Sequence, residues 1–228
     1  MKRIATIALS TLLACAALAA AQSLDSYWKE SGKSFPAAGV FTRPQAWAPG
    51  QYVVLGNYSN GKRDSVSMSI LVRQEAGGWV MESRSIDKKG AETVMQMLLA
   101  GFDQAMAAGD ASKVDLRWIK TLDKDGKISV MEGPQLGLMK GLYKSAWERM
   151  VVGPATYSDG GAVQVPAGAF AGTSMVKAKT KVMGFSVETE TWSHPAVPLS
   201  GMVKSRSTDG KSSSELLSFG FDGKARIP

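Results

Sequence analysis

Residues 91–108, AETVMQMLLAGFDQAMAA, decide the class of fold into which the rest of the chain is read. Met95, Leu98, Leu99, Phe102 and Met106 recur at steps of three and four within a run of strong helix formers, the spacing of one apolar stripe on a helix. The spacing predicts a helix. Residues 134–150, PQLGLMKGLYKSAWERM, repeat it with Leu136, Met139, Leu142, Tyr143, Ala146, Trp147 and Met150, opened by Pro134 at a position that suits a first turn. Gly137 and Gly141 weaken this second helix.

The segments around these two read as strands. Asn60-Gly61, Asp125-Gly126 and Asp209-Gly210 each lie between residues that alternate or favour strands, and these dipeptides supply the positive φ values of a tight hairpin turn. A two-residue turn at Asp209-Gly210 sets Lys204 opposite Glu215, Val203 opposite Leu216 and Met202 opposite Leu217. A turn at Met183-Gly184 sets Lys179 opposite Glu188 and Lys177 opposite Glu190, with Val182 facing Phe185 and Thr180 facing Val187. The Asn60-Gly61 turn sets Leu55 opposite Val66 and Val53 opposite Met68. Opposite charges meet on one face and apolar residues on the other, as cross-strand pairing requires. The expected fold is α+β: an antiparallel sheet curved into a half-open β-barrel, with two inserted helices acting as lid or plug.

The chain begins MKRIATIALSTLLACAALAAAQS. Lys2 and Arg3 form a basic start, Ile4 to Leu18 an apolar run, and Ala19 to Ala21 the small residues that precede cleavage, so residues 1–21 read as a signal peptide. Export to the periplasm or beyond is expected; the alternative is a lipoprotein anchored through Cys15, since Leu12-Leu13-Ala14-Cys15 has the form of a lipidation box. Cleavage after Ala21 leaves no cysteine and excludes disulfides, thiol catalysis and cysteine metal sites. Removing Lys2 and Arg3 takes the 27 basic residues to 25 against 20 acidic, a net charge of +5. For an exported chain the available anions are membrane headgroups rather than nucleic acid, and a soluble surface with a small positive excess is the simpler reading. Residues 22–50, with Pro36, Pro44 and Pro49 among scattered aromatics, are expected to be irregular and to pack on a single β-rich domain over 51–228.

Few motifs carry chemistry. TLDKDGKISVME (121–132) has the acidic spacing of a calcium loop, but Thr121 occupies its first ligand position and Gly133-Pro134 stands where the exiting helix would run, so a hairpin explains it. TDGKSS (208–213) lacks the earlier glycine of a phosphate loop. No metal site and no cofactor is expected. His194 is the only histidine. It lies in ETETWSHPAVPLSGMVKS (188–205), where Pro195 and Pro198 mark a corner between two strand pairs. A hydrolase or metal enzyme would have to combine His194 with acids such as Glu188, Glu190 or Asp209, and a corner-forming role is the simpler reading.

Trp192 followed by Val197-Pro198-Leu199-Ser200-Gly201-Met202-Val203-Lys204, together with the export signal and strands interrupted by two helices, resembles the LolA-like group of bacterial periplasmic proteins over roughly residues 50–228. The resemblance implies an incomplete β-barrel around an apolar cavity under a helical lid, which the best-known members use to carry lipoprotein acyl chains. No arginine matches the family's lid contact, so no functional residue is carried over. The expected function is that of a non-enzymatic exported protein binding a lipid, acyl chain or other hydrophobic ligand between sheet and helices. Met95, Leu98, Leu99, Phe102, Met106, Met139, Leu142 and Trp147 are the candidate ligand-binding residues. The alternative is an envelope structural or interaction module with a filled core. Oligomeric state is left open.

Overall fold

Residues 91–108 divide into two elements. In the computed structural model Glu92–Ala100 is a strand and Phe102–Ala108 a short helix, with Gly101 at φ 69° between them. Met95, Met97 and Leu99 fit a period of two as well as a helical stripe, and strands on both sides satisfy this segment's backbone groups. Helix preference amounts to a few tenths of a kcal/mol per residue and does not compete with two ladders. Gly101 is required at the join, because a Cβ there would collide with the Lys113 carbonyl.

The described residues are 24, 27, 32–38, 45–108, 110–137, 139–140, 158–182 and 185–228. Their strands are β1 (Ser34–Phe35), β2 (Tyr52–Ser59), β3 (Lys62–Glu75), β4 (Gly78–Asp87), β5 (Glu92–Ala100), β6 (Asp115–Leu122), β7 (Ile128–Glu132), β8 (Ser158–Val165), β9 (Gly168–Val182), β10 (Phe185–Ser193), β11 (Met202–Ser207) and β12 (Ser212–Gly220), with α1 at Phe102–Ala108. All belong to one sheet ordered β1-β9-β10-β11-β12-β2-β3-β4-β5-β6-β7, and β8 pairs with β9. The β1–β9 pairing is parallel.

An open, mixed, predominantly β sheet therefore replaces the expected α+β half-barrel with two inserted helices. The first expected helix is mostly strand. Of the second, Gly133–Gln135 forms a 3-10 turn and residues 136–137 and 139–140 are helical, while Leu142 and Trp147 lie outside the described residues.

Two of the hairpin registers hold. Lys179 pairs with Glu188, Lys177 with Glu190, Thr180 with Val187 and Val182 with Phe185. Lys204 pairs with Glu215, and Val203 and Leu216 are buried in the same core. The β2–β3 register differs by one. Asn57 pairs with Ser65 and Tyr58 with Arg63, so Asp64 is an extra residue on β3. Beyond that bulge Leu55 faces Ser67 and Val53 faces Ser69, while Val66 and Met68 turn to the other face opposite Gly56 and Val54.

Each face of the sheet has its own core. One gathers Val53, Leu71, Trp79, Leu99, Phe102, Leu116, Phe170, Val203 and Leu216. The other gathers Val54, Val66, Met68, Ile70, Ile86 and Leu217 under Leu24 and Tyr27 of the N-terminal segment. Burial pushes the Tyr27 phenol well above its ordinary range. On the first face the sheet folds over itself: the Ala167 N–H, in the β8–β9 turn, donates to the Leu216 carbonyl of β12 at 2.9 Å. Phe170 of β9 lies 4.3 Å from Phe35 in a stacked pair and 6.2 Å from Phe219 of β12. Near α1, Trp47 stacks on Phe102 at 4.1 Å and meets Trp79 edge-on at 5.9 Å. Rings at these separations are in direct contact with one another.

Candidate functional site

The candidate ligand-binding residues do not gather around one space. Leu99 and Phe102 belong to the first core, and Met95 and Met139 pack partly buried against it. Leu98 is buried too, but sits between Met97 and Leu99 on β5 and faces away from them. Met106 lies on α1, with its side chain outside the described set, as are Leu142 and Trp147. Two grooves on the described surface, over β1, β8 and β9 and at the β2–β3 and β11–β12 hairpins, are lined by none of these residues.

His194 is 3 % exposed and both ring nitrogens are engaged. Nε2 lies 3.0 Å from the Pro36 carbonyl and Nδ1 accepts the Ala196 N–H at 3.2 Å. That arrangement requires the neutral ring, protonated at Nε2. The ring also meets Phe170 edge-on at 5.3 Å. Here β10 ends at Ser193, Pro195 carries the chain away, and the two-residue β1 pairs with β9 beside it. His194 ties the end of β1 to that corner. Leu199, at φ 62°, closes the turn, and its burial offsets a left-handed cost of about 1–2 kcal/mol. Of the acids considered with it, Glu190 is held by Lys177 and Arg206, each at 2.8 Å. The Lys177 ammonium and then the Arg206 guanidinium hold its carboxyl below the ordinary range. The calcium-like loop is the β6–β7 hairpin, in which the Asp123 carboxylate accepts the N–H groups of Asp125 and Lys127.

On the opposite face a buried polar cluster fixes the C-terminal residues. Glu82 and Gln96 are fully buried and Arg84 is 2 % exposed. Glu82 accepts the Arg226 N–H at 2.8 Å and the Ile227 N–H at 2.9 Å, and Gln96 donates to Glu82 at 3.0 Å and to the Ile227 carbonyl. Arg84 and Arg226 both engage Glu92. A carboxylate in such a place is stable only with those donors present.

The first face divides along the strands. Leu71 of β3 gives way to Ser69, Ser67 and Ser65; Trp79 and Met81 of β4 to Ser83 and Ser85; Val203 of β11 to Ser205 and Ser207; Leu216 of β12 to Ser214. Leu71, Trp79, Val203 and Leu216 are buried and Met81 partly so, whereas Ser65, Ser67, Ser69, Ser83, Ser85, Ser205 and Ser214 are half-exposed. Because directly paired residues share a face, Thr191, Ser205, Ser214, Asn57 and Ser65 form a polar row across five strands. Asn57 donates to Ser65 and Ser67, both at 3.1 Å, and accepts from Ser214 at 2.9 Å. Thr191 and Ser205 are hydrogen-bonded at 3.2 Å.

This end opens into a groove of about 560 Å³ lined by Asn57, Ser65, Ser205, Ser214 and their neighbours. A smaller groove of about 340 Å³ lies over β1, β8 and β9 against Phe35, Val163 and Phe170. The serine rows are the feature that the reading of motifs passes over. Their signal is present in DSVSMSI (64–70), where Ser65, Ser67 and Ser69 alternate with Val66, Met68 and Ile70.

No protein-family model matches the chain, and no curated protein matches it significantly. Three solved structures are similar to it. A provisionally assigned exported protein of Bacteroides fragilis with a YmcC-like fold is 12 % identical at a TM-score of 0.34, over 80 % of this chain and 100 % of its own. A provisionally assigned lipoprotein of Parabacteroides distasonis is 13 % identical at 0.37, over 81 % and 100 %. A hypothetical protein of Chlamydia trachomatis is 8 % identical at 0.45, over 79 % and 91 %. None of the three is named as LolA-like, and likeness at these scores transfers neither fold nor role.

Proposed function

We propose that this chain is an exported, non-enzymatic protein of the cell envelope that acts through its surface, with an interior filled by its own side chains. The observation that carries the reading is the pair of ring stacks, Phe35–Phe170 at 4.3 Å and Trp47–Phe102 at 4.1 Å, in the core where an acyl chain would have to lie. Export is supported by the signal-peptide layout of residues 1–21. The non-enzymatic reading is supported by His194, whose two nitrogens are occupied within the chain.

Mass spectrometry of the full chain, expressed with its leader and purified without detergent, tests both parts. The expected spectrum is that of a bare polypeptide beginning at Gln22, without bound lipid. A co-purifying acyl lipid contradicts the filled interior, and an uncleaved leader contradicts export. A diacylated chain beginning at Cys15 substitutes the lipoprotein form and leaves the surface-acting role intact.

A further inference from the structure

We propose that the groove at the serine-bearing end of the sheet is a binding site for a neutral oligosaccharide. This deepens the surface-acting reading above and rests on it. Eight of the lining residues carry a serine or threonine hydroxyl, and none is valine, leucine, isoleucine, methionine or phenylalanine. Such a wall has no aliphatic side chain against which an acyl chain would pack, and its volume of about 560 Å³ lies within the ordinary range of small-ligand sites. Its four charged residues are two cations and two acids. Lys211 pairs with Asp209, and Arg206 with Glu190. The lining charges balance and neither cation is left unpaired to hold an anion, which points to a neutral ligand.

The polarity of the hydroxyls sharpens the class. A hydroxyl has one hydrogen and two lone pairs. Ser214 directs its hydrogen to the Asn57 oxygen, which leaves it an acceptor toward the groove. Ser65 receives an Asn57 hydrogen and keeps its own, which makes it a donor. One amide thereby sets a donor on β3 and an acceptor on β12. The two strands flank β2, and because both hydroxyls bond the one Asn57 amide they stand no more than about 8 Å apart. The groove's row from Ser205 of β11 to Ser65 of β3 crosses three strand spacings, about 14 Å, and that span suits linked sugar rings, whose hydroxyls can both give and receive, better than a single small polyol.

The test is calorimetric titration of the full chain with maltohexaose, cellohexaose and chitohexaose, with inorganic phosphate as the comparison. At least one hexasaccharide is expected to bind saturably while phosphate does not. Asn57→Ala and Ser214→Ala should each weaken that binding by about tenfold, the size of one lost hydrogen bond. Ser214→Ala removes a half-exposed hydroxyl at the groove wall and serves should Asn57→Ala fail to fold. No hexasaccharide binding at millimolar concentration, binding unchanged in the folded variants, or binding of phosphate alone each overturns the proposal. A lipid found in the interior overturns the surface-acting reading instead, and leaves the titration result to be read separately.

Discussion

The two ends of one sheet face solve opposite problems with the same strands. At one end of each strand Leu71, Trp79, Val203 and Leu216 project into a core that also holds the stacked rings. Toward the other end Ser69, Ser83, Ser205 and Ser214 continue the same strands, and the face meets solvent. On β3 the ladders to β2 and β4 run through both, with a bulge in each. Whether a stretch of sheet is core or recognition surface is thus set by the side chain at every second position, and the ladder is indifferent to it.

Substitutions at the two ends should therefore differ sharply. Phe170→Ala empties the stack with Phe35 and should cost about 3–5 kcal/mol in denaturant unfolding; a loss below about 1 kcal/mol would mean that the closed end is loosely filled. Glu82→Ala, on the opposite face, strands the N–H groups of Arg226 and Ile227 and should cost about 3 kcal/mol, with faster hydrogen exchange at those two amides. His194→Ala removes the tie to Pro36 and should cost about 1–3 kcal/mol, with exchange protection lost first around Ser34–Phe35.

The ion pairs on the outward side of β10 give a smaller, pH-dependent effect. Glu190 is held below its ordinary value by Lys177 and Arg206, so it contributes stability above that value and loses it as pH falls through the depressed one. Glu190→Gln should lower the melting temperature modestly near neutrality and flatten its acid limb, the two proteins converging as pH falls below the depressed value. At the serine end Ser67→Val should shift stability by no more than about 0.5 kcal/mol, in either direction. A large loss there would mean that the serine rows are a buried network rather than a surface.

The strand pairs at β9–β10 and β11–β12 are legible in the sequence because charge and apolarity alternate in step on both partners of each hairpin. Lys177 and Lys179 find Glu190 and Glu188 without any displaced residue. Two signals mislead elsewhere. Met95, Leu98, Leu99 and Phe102 satisfy a helical stripe while Met95, Met97 and Leu99 satisfy a strand, and only the neighbours β4 and β6 choose between them.

At β2–β3, pairing Leu55 with Val66 matches apolar to apolar, but the extra residue Asp64 shifts the register and brings Leu55 onto Ser67. That single slip conceals the serine face, since it assigns Val66 and Met68 to the side that the serines occupy. The aromatic filling is hidden for another reason. Phe35 and Phe170 lie far apart in sequence, and nothing local to either announces that the β8–β9 turn folds over β12.

The contrast between a filled end and an open end is tested most directly by paired cysteine labelling. In a Cys15→Ser background, Val203→Cys and Ser67→Cys are each exposed to a soluble thiol reagent under native conditions. The prediction is that Ser67→Cys reacts nearly as fast as the unfolded chain, while Val203→Cys reacts only as fast as the protein unfolds. Equal, rapid labelling at both positions would show a hollow, solvent-reached interior and contradict the account.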